Sequence, residues 1–150
     1  MANTQAMTSS FKGELLVGHH NFGVGVVRAG TTADTIKAAL YFASASLGAG
    51  TTSYPASGEA TGTGYSSGGI VVTNATVPSV SGTTAIWTPS ASLVYTTVTI
   101  NAFDAVLIYN STQANKAISV HTFGSQSIVA GTFTLTMPAN AAGTALIQLA

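Results

Sequence analysis

The chain reads as an all-β protein, an antiparallel β-sandwich of the jelly-roll or immunoglobulin-like kind, preceded by a short N-terminal helix or arm. Three observations predict it. Apolar and polar residues alternate with a period of two in several short runs. β-branched residues are plentiful, which suits pleated, half-buried surfaces. Turn residues separate the runs, and no strand–helix alternation of a doubly wound sheet appears.

The elements follow in order. Residues 1–9 are small and polar, and read as a flexible arm. In SSFKGELLVGHHNF, Phe11, Leu15 and His19 recur every four residues beside Leu16. That spacing predicts a short helix, with Ser9 or Ser10 as its cap and Gly18 at its end. TIKAALYFA predicts a strand with Ile36, Ala38, Leu40 and Phe42 on its more apolar face and Thr35, Lys37, Ala39 and Tyr41 on the other. A Ser/Gly/Thr-rich loop follows from Ser44 to Ser53, then a glycine-rich stretch from Ser57 to Gly69. IVVTNATV and TTAIW are the next β runs, with S-V-S-G between them as a turn. LVYTTVTI alternates, Val94, Thr96, Val98 and Ile100 against Tyr95, Thr97 and Thr99. AVLIY and KAISVHTF form an antiparallel pair around N-S-T-Q-A-N. GTFTLTMP directs Phe133, Leu135 and Met137 to one face, and ALIQL closes the chain. The count is about seven or eight short strands, enough for two layers. Residues 1–30 are read as the arm with its helix and 31–150 as the sandwich domain.

Composition narrows the function. At 150 residues and 46% hydrophobic, the chain suits one domain with one core. Charged residues are only 5% and formal net charge is +0, while Ser and Thr supply about a quarter of the chain. Lys12, Arg28, Lys37 and Lys116 are scattered and build no basic patch, so no nucleic-acid partner is expected. An uncharged exterior has little colloidal stability of its own, which favours a protein that works assembled. No run reaches transmembrane length, and M-A-N-T-Q-A-M-T-S-S lacks the basic start and apolar run of a signal peptide.

The chemical inventory is thin. With no cysteine, thiolate chemistry and Cys-ligated metals are excluded. His19 and His20 are neighbours, a poor chelating geometry, and His121 sits alone in S-V-H-T-F. The four acids, Glu14, Asp34, Glu59 and Asp104, suggest no catalytic pair, and Asp34 and Asp104 read as turn residues. G-x-S-x-G is absent. G-T-G-Y-S-S-G-G misses the dinucleotide spacing by one residue, has no lysine, and leads into a β run rather than a helix. No enzyme, cofactor or metal site is therefore expected. Two readings of the glycine stretch stand side by side. Tyr65 anchors a partner, with Glu59 accepting backbone N–H bonds to pin the loop, or Tyr65 covers the domain's own core.

FKGELLVGHHNF, DTIKAALYFASASLGAGTTSY, GEATGTGYSSGG, VLIYNSTQANKAISVHTFGS and GTFTLTMP together resemble a family of small virion proteins of tailed bacteriophages, the head-decoration or cement proteins. The likeness runs from Phe11 to Leu149. It departs from the family pattern at the doubled His19-His20, and at Ile36, where phenylalanine is common. The resemblance implies a β-sandwich on the head surface of the virion, made in the host cytoplasm. It implies a homo-oligomer, dimer or trimer, bound to the major capsid protein and stabilising the head. It brings no catalytic residues. Contact candidates are Phe11, Leu15, Leu16 and Phe22 in the N-terminal segment, and Tyr54, Glu59 and Tyr65 around the glycine loop. The alternative is a tail, neck or fibre-associated module binding host glycan through Tyr54, Tyr65, Trp87 and Tyr95.

Overall fold

The structure is a computed structural model and describes residues 2–8, 10–11, 15, 18–20, 22, 33–73 and 77–150. Its strands are β1 (Ala6–Met7), β2 (Ile36–Phe42), β3 (Gly62–Thr63), β4 (Ile70–Val71), β5 (Ser79–Ser81), β6 (Thr84–Trp87), β7 (Leu93–Asn110), β8 (Lys116–Leu135) and β9 (Ile147–Leu149). They form two antiparallel sheets, a sandwich as expected. The larger has the order β1-β8-β7-β2-β4, with β3 also paired to β7. The smaller has the order β5-β6-β9. The described strands close no barrel, and their order does not establish the jelly-roll or immunoglobulin arrangement.

The expected pair AVLIY and KAISVHTF is present, with Asn110 opposite Lys116 across the turn. Its strands are much longer than expected. LVYTTVTI and AVLIY are one 18-residue strand, and KAISVHTF and GTFTLTMP share a 20-residue partner. Bulges keep these strands continuous while bending them. Thr97, Ala102 and Ala130 sit at φ of 54°, 55° and 46°, and the β7–β8 register slips at five places. The bulge at Thr97 also corrects the expected alternation. Leu93 and Tyr95 are buried and Val94 is exposed, whereas beyond the bulge Val98 and Ile100 are buried. One inserted residue swaps the faces.

Other corrections are local. Only Ile70–Val71 of IVVTNATV is strand, and 74–76 lie outside the described residues. Ser79–Ser81, read as part of a turn, is β5, hairpinned to β6 through Gly82 and Thr83. Asp104 is within β7, not in a turn, and accepts a bond from Asn3 Nδ2 at 2.8 Å. Asp34, expected to fix a turn ahead of β2, instead braces the β7–β8 turn, receiving Asn110 Nδ2 at 2.7 Å and Gln113 Nε2 at 3.3 Å.

The expected flexible arm is docked along Ala2–Thr8. Asn3 donates to Phe42 O and Asp104 and accepts from Leu47 N–H. β1 extends the large sheet beside β8. Thr8 is fully buried, with its hydroxyl donating to Ala117 O and accepting the Phe11 N–H. That capping geometry belongs to Thr8 rather than to the expected Ser9 or Ser10. The expected helix is not among the described elements: helical backbone is described only at Ser10, Phe11 and Leu15.

The core has two parts, on opposite faces of the large sheet. Between the sheets, Ile36, Ala38 and Leu40 of β2 meet Tyr95, Val98, Ile100, Phe103, Val106 and Ile108 of β7, with Phe11, Phe22, Trp87, Phe133 and Ile147. Leu135 and Met137 join Phe133 there, as their alternation predicts. On the outer face, Ala39, Tyr41, Leu107, Tyr109 and Val120 are covered by Ala45, Leu47 and Tyr54 of the connection after β2. Both faces of β2 are thus buried, because the Ser/Gly/Thr loop folds back as a lid.

Candidate functional site

The glycine stretch is built around one carboxylate. Glu59 is 5% exposed and pairs across from Tyr41 in an isolated bridge beside β2. Its Oε1 accepts Tyr65 Oη at 2.8 Å and the Gly68 N–H at 2.7 Å. Its Oε2 accepts Ser67 Oγ at 2.8 Å and the Tyr54 hydroxyl. Four donors, from Tyr54, Tyr65, Ser67 and Gly68, therefore close on one buried carboxylate, which compensates for its removal from water.

All five tyrosines of the chain brace this loop or the sheet beneath it. Tyr65 also accepts the Leu40 N–H at 2.9 Å, tying loop to β2. Tyr109 donates to Gly68 O at 2.8 Å, Tyr95 to Ala38 O at 2.9 Å, and Tyr41 to Pro55 O at 2.6 Å. Tyr54 stacks on Tyr109, and Tyr65 on Tyr95. Burial, then the negative charge of Glu59, holds the Tyr41 and Tyr95 hydroxyls well above the usual phenol range. Burial likewise raises Tyr65 and Tyr54, and pushes Tyr109 up to about 12, where Tyr54 and Glu59 add to it. These phenols stay protonated as donors.

Glycine is required where the loop grazes the sheet. A Cβ on Gly62 would lie 1.9 Å from Thr99 O, and one on Gly69, at φ +68°, would lie 1.8 Å from Ala38 O. Of the two readings of Tyr65, the structure places its ring against the domain's own core, half-buried beside Tyr95. Glu59 accepts a backbone N–H as expected, and Tyr54 joins it. The outward surface of the loop is Thr61 to Gly64 with Ser66 and Ser67, hydroxyls and bare backbone.

The N-terminal candidates meet elsewhere. Phe11 and Phe22 are 1% and 7% exposed, and their rings pack edge to face at 5.8 Å. Phe22 lies 4.6 Å from Trp87, centroid to centroid. With half-buried Leu15 they wall an apolar pocket of about 240 Å³, completed by His20, Pro78, β6 and β9. Leu16 lies outside the described residues. Sequence reasoning missed His20 here. Its Nδ1 is 3.1 Å from Asn110 Nδ2, the same amide nitrogen that reaches Asp34. Asn110 is itself fully buried, so Asn110-Ser111-Thr112 is no exposed glycosylation sequon. Trp87 and Tyr95 are each 2% exposed, and Tyr54 and Tyr65 spend their hydroxyls on Glu59, so these four make no open platform for a sugar.

His121 is apart from both groups, its Nε2 2.9 Å from Ser119 Oγ, and burial pulls its imidazole down to about 4. Among the described residues no group of three or more metal-ligating side chains gathers.

The placement of charge is the remaining feature. All eight charged residues fall at Lys12, Glu14, Arg28, Asp34, Lys37, Glu59, Asp104 and Lys116. None lies in 60–103 or 117–150. Once the strands are placed, that leaves the whole small sheet without a charge, while Lys37 and Lys116 sit near the β7–β8 turn, opposite Tyr109 and Asn110. Val80, Val94 and Val129 are exposed on the uncharged portion, at 72%, 42% and 76%, while Val71, 57% exposed, lies opposite Lys37. Compared with known proteins, the chain matches no family model, no curated protein and no solved structure.

Proposed function

We propose that this is a structural virion protein of a tailed bacteriophage, a decoration or cement protein that binds the major capsid protein on the head surface. The observation that carries the reading is the charge-free part of the exterior: a small sheet and two long half-strands dressed in hydroxyls and single valines. Such a surface gains little from standing in water and little from electrostatic steering. It suits close, repeated contact, where small apolar areas act together over many copies. The Glu59 hub supports the same reading, because a preformed loop loses little conformational freedom when it docks. The exposed residues Thr61–Gly64, on and beside β3, and the half-buried Leu15 are assigned to the capsid contact. The mechanism is bridging: copies span subunit boundaries and oppose the outward pressure of packaged DNA.

Electron cryomicroscopy of the particle tests it. The expected result is density on the head with the glycine turn against the shell. Density confined to tail or fibre would refute it. Heads lacking the protein should assemble and release DNA at lower temperature, and an unchanged release temperature would count equally against it.

A further inference from the structure

We propose that β5 is a self-pairing edge, through which two copies of the chain join antiparallel across a two-fold axis at Val80. β5 ends the small sheet, so one side of it has no strand partner among the described residues. Its hairpin to β6 turns through Gly82, at φ +63°, and Thr83, and closes on the Ser81–Thr84 pair. Ser81 spends its backbone groups inward on β6. In an antiparallel ladder the next residue points the other way, so Val80 turns its N–H and C=O to the open side. Its side chain is 72% exposed.

Three features select a second copy as occupant. Ser79-Val80-Ser81 reads the same in both directions. An antiparallel pair centred on Val80 therefore matches serine with serine and valine with valine, the self-complementarity a two-fold contact needs. The strand carries none of the lysines or internal prolines that guard edges, and Pro78 stands just outside it. No charge occurs anywhere in the small sheet, so two copies approach without repulsion. The opposite edge, β9, is flanked differently: Gln148 bonds the Gly143 N–H and Ala145 O, folding the preceding turn against it.

The pairing also completes an apolar row. Val80, Ala85 and Leu149 are register partners across the three strands, and Ala85 and Leu149 line the 240 Å³ pocket. A two-fold axis through the Val80 pair continues that row into the second copy and covers the most exposed member. The result is one sheet made of three strands from each copy.

Sedimentation of the full chain between about 5 and 300 µM tests the pairing, since a short edge contact gives affinity in that range. A reversible dimer is expected. Val80→Pro, which removes the central N–H, should raise the dissociation constant at least about tenfold while leaving the monomer's circular dichroism unchanged. A second measurement does not depend on that variant folding. The chain has no cysteine, so Val80→Cys with a short bis-maleimide should give a covalent dimer, and Val129→Cys, on a residue 76% exposed, should not. A monomer across the range, a dimer indifferent to Val80→Pro, or equal cross-linking from position 129 would overturn the proposal. The isolated chain is used throughout, so failure here leaves the virion reading standing, and absence from particles leaves the dimer standing.

Discussion

Replacing Glu59 separates two accounts of the glycine loop. If the loop is held by acceptor geometry, Glu59→Ala strands donors that cannot all turn away. The Gly68 N–H is fixed by the backbone and buried, and the Tyr65 hydroxyl is already committed on its acceptor side to Leu40 N–H. The Tyr54 and Ser67 hydroxyls can rotate, and Ser67 reaches water. Two stranded donors at about 1–3 kcal/mol each, less the relief of no longer burying a carboxylate, give a loss of about 3 kcal/mol. Glu59→Gln keeps one oxygen for the two inflexible donors and presents an amide NH₂ to the two adaptable hydroxyls, so its loss should be about 1 kcal/mol. Urea unfolding followed by Trp87 fluorescence measures both, and amide exchange at Gly68 and Leu40 shows whether the loop opens locally. A Glu59→Ala loss below about 0.5 kcal/mol would refute the reasoning, as would a Glu59→Gln variant as damaged as Glu59→Ala, because acceptor geometry would then not be what holds the loop.

Alkaline stability should fail early and cooperatively. The folded tyrosines titrate above their unfolded value near 10, so stability present below pH 10 is lost as pH rises past it, with tyrosinate absorbance and loss of circular dichroism expected together. His121 acts in the opposite direction: its folded value near 4 lies below the unfolded 6.5, so stability present above pH 6.5 falls between pH 6.5 and 4, by on the order of 2 kcal/mol. His121→Gln should flatten that slope in urea titrations run at several pH values. Gly69→Ala should cost at least about 2 kcal/mol, because it adds a clash with Ala38 O to a left-handed backbone, whereas Gly50→Ala, with open space around it, should cost little.

Alternation alone was enough to locate β2, β6, the β7–β8 turn and the Phe133 face, since a period of two is written directly in which residues are apolar. It was not enough to find where the phase breaks. Thr97, Ala102 and Ala130 carry no glycine-like mark, yet each sits at positive φ, because pairing with the neighbouring strand holds it there. The site divides in the same way. Glu59, Tyr54 and Tyr65 were legible as a carboxylate and two phenols close in sequence. Tyr41, Tyr95 and Tyr109 were not, because they arrive from β2 and β7 through strand register.

Composition and periodicity therefore determine that this chain stacks pleated layers, carries almost no charge and has no cysteine. Tertiary structure settles where those properties fall. It buries Phe11 and Phe22 and half-buries Tyr65, which all looked available for partners, because an aromatic ring within reach of an unfilled core gains more there than in water. It also leaves the small sheet without a charge, and β5 with one side unpaired among the described residues, a grouping that depends on which strands pair and not on which residues are neighbours in the chain.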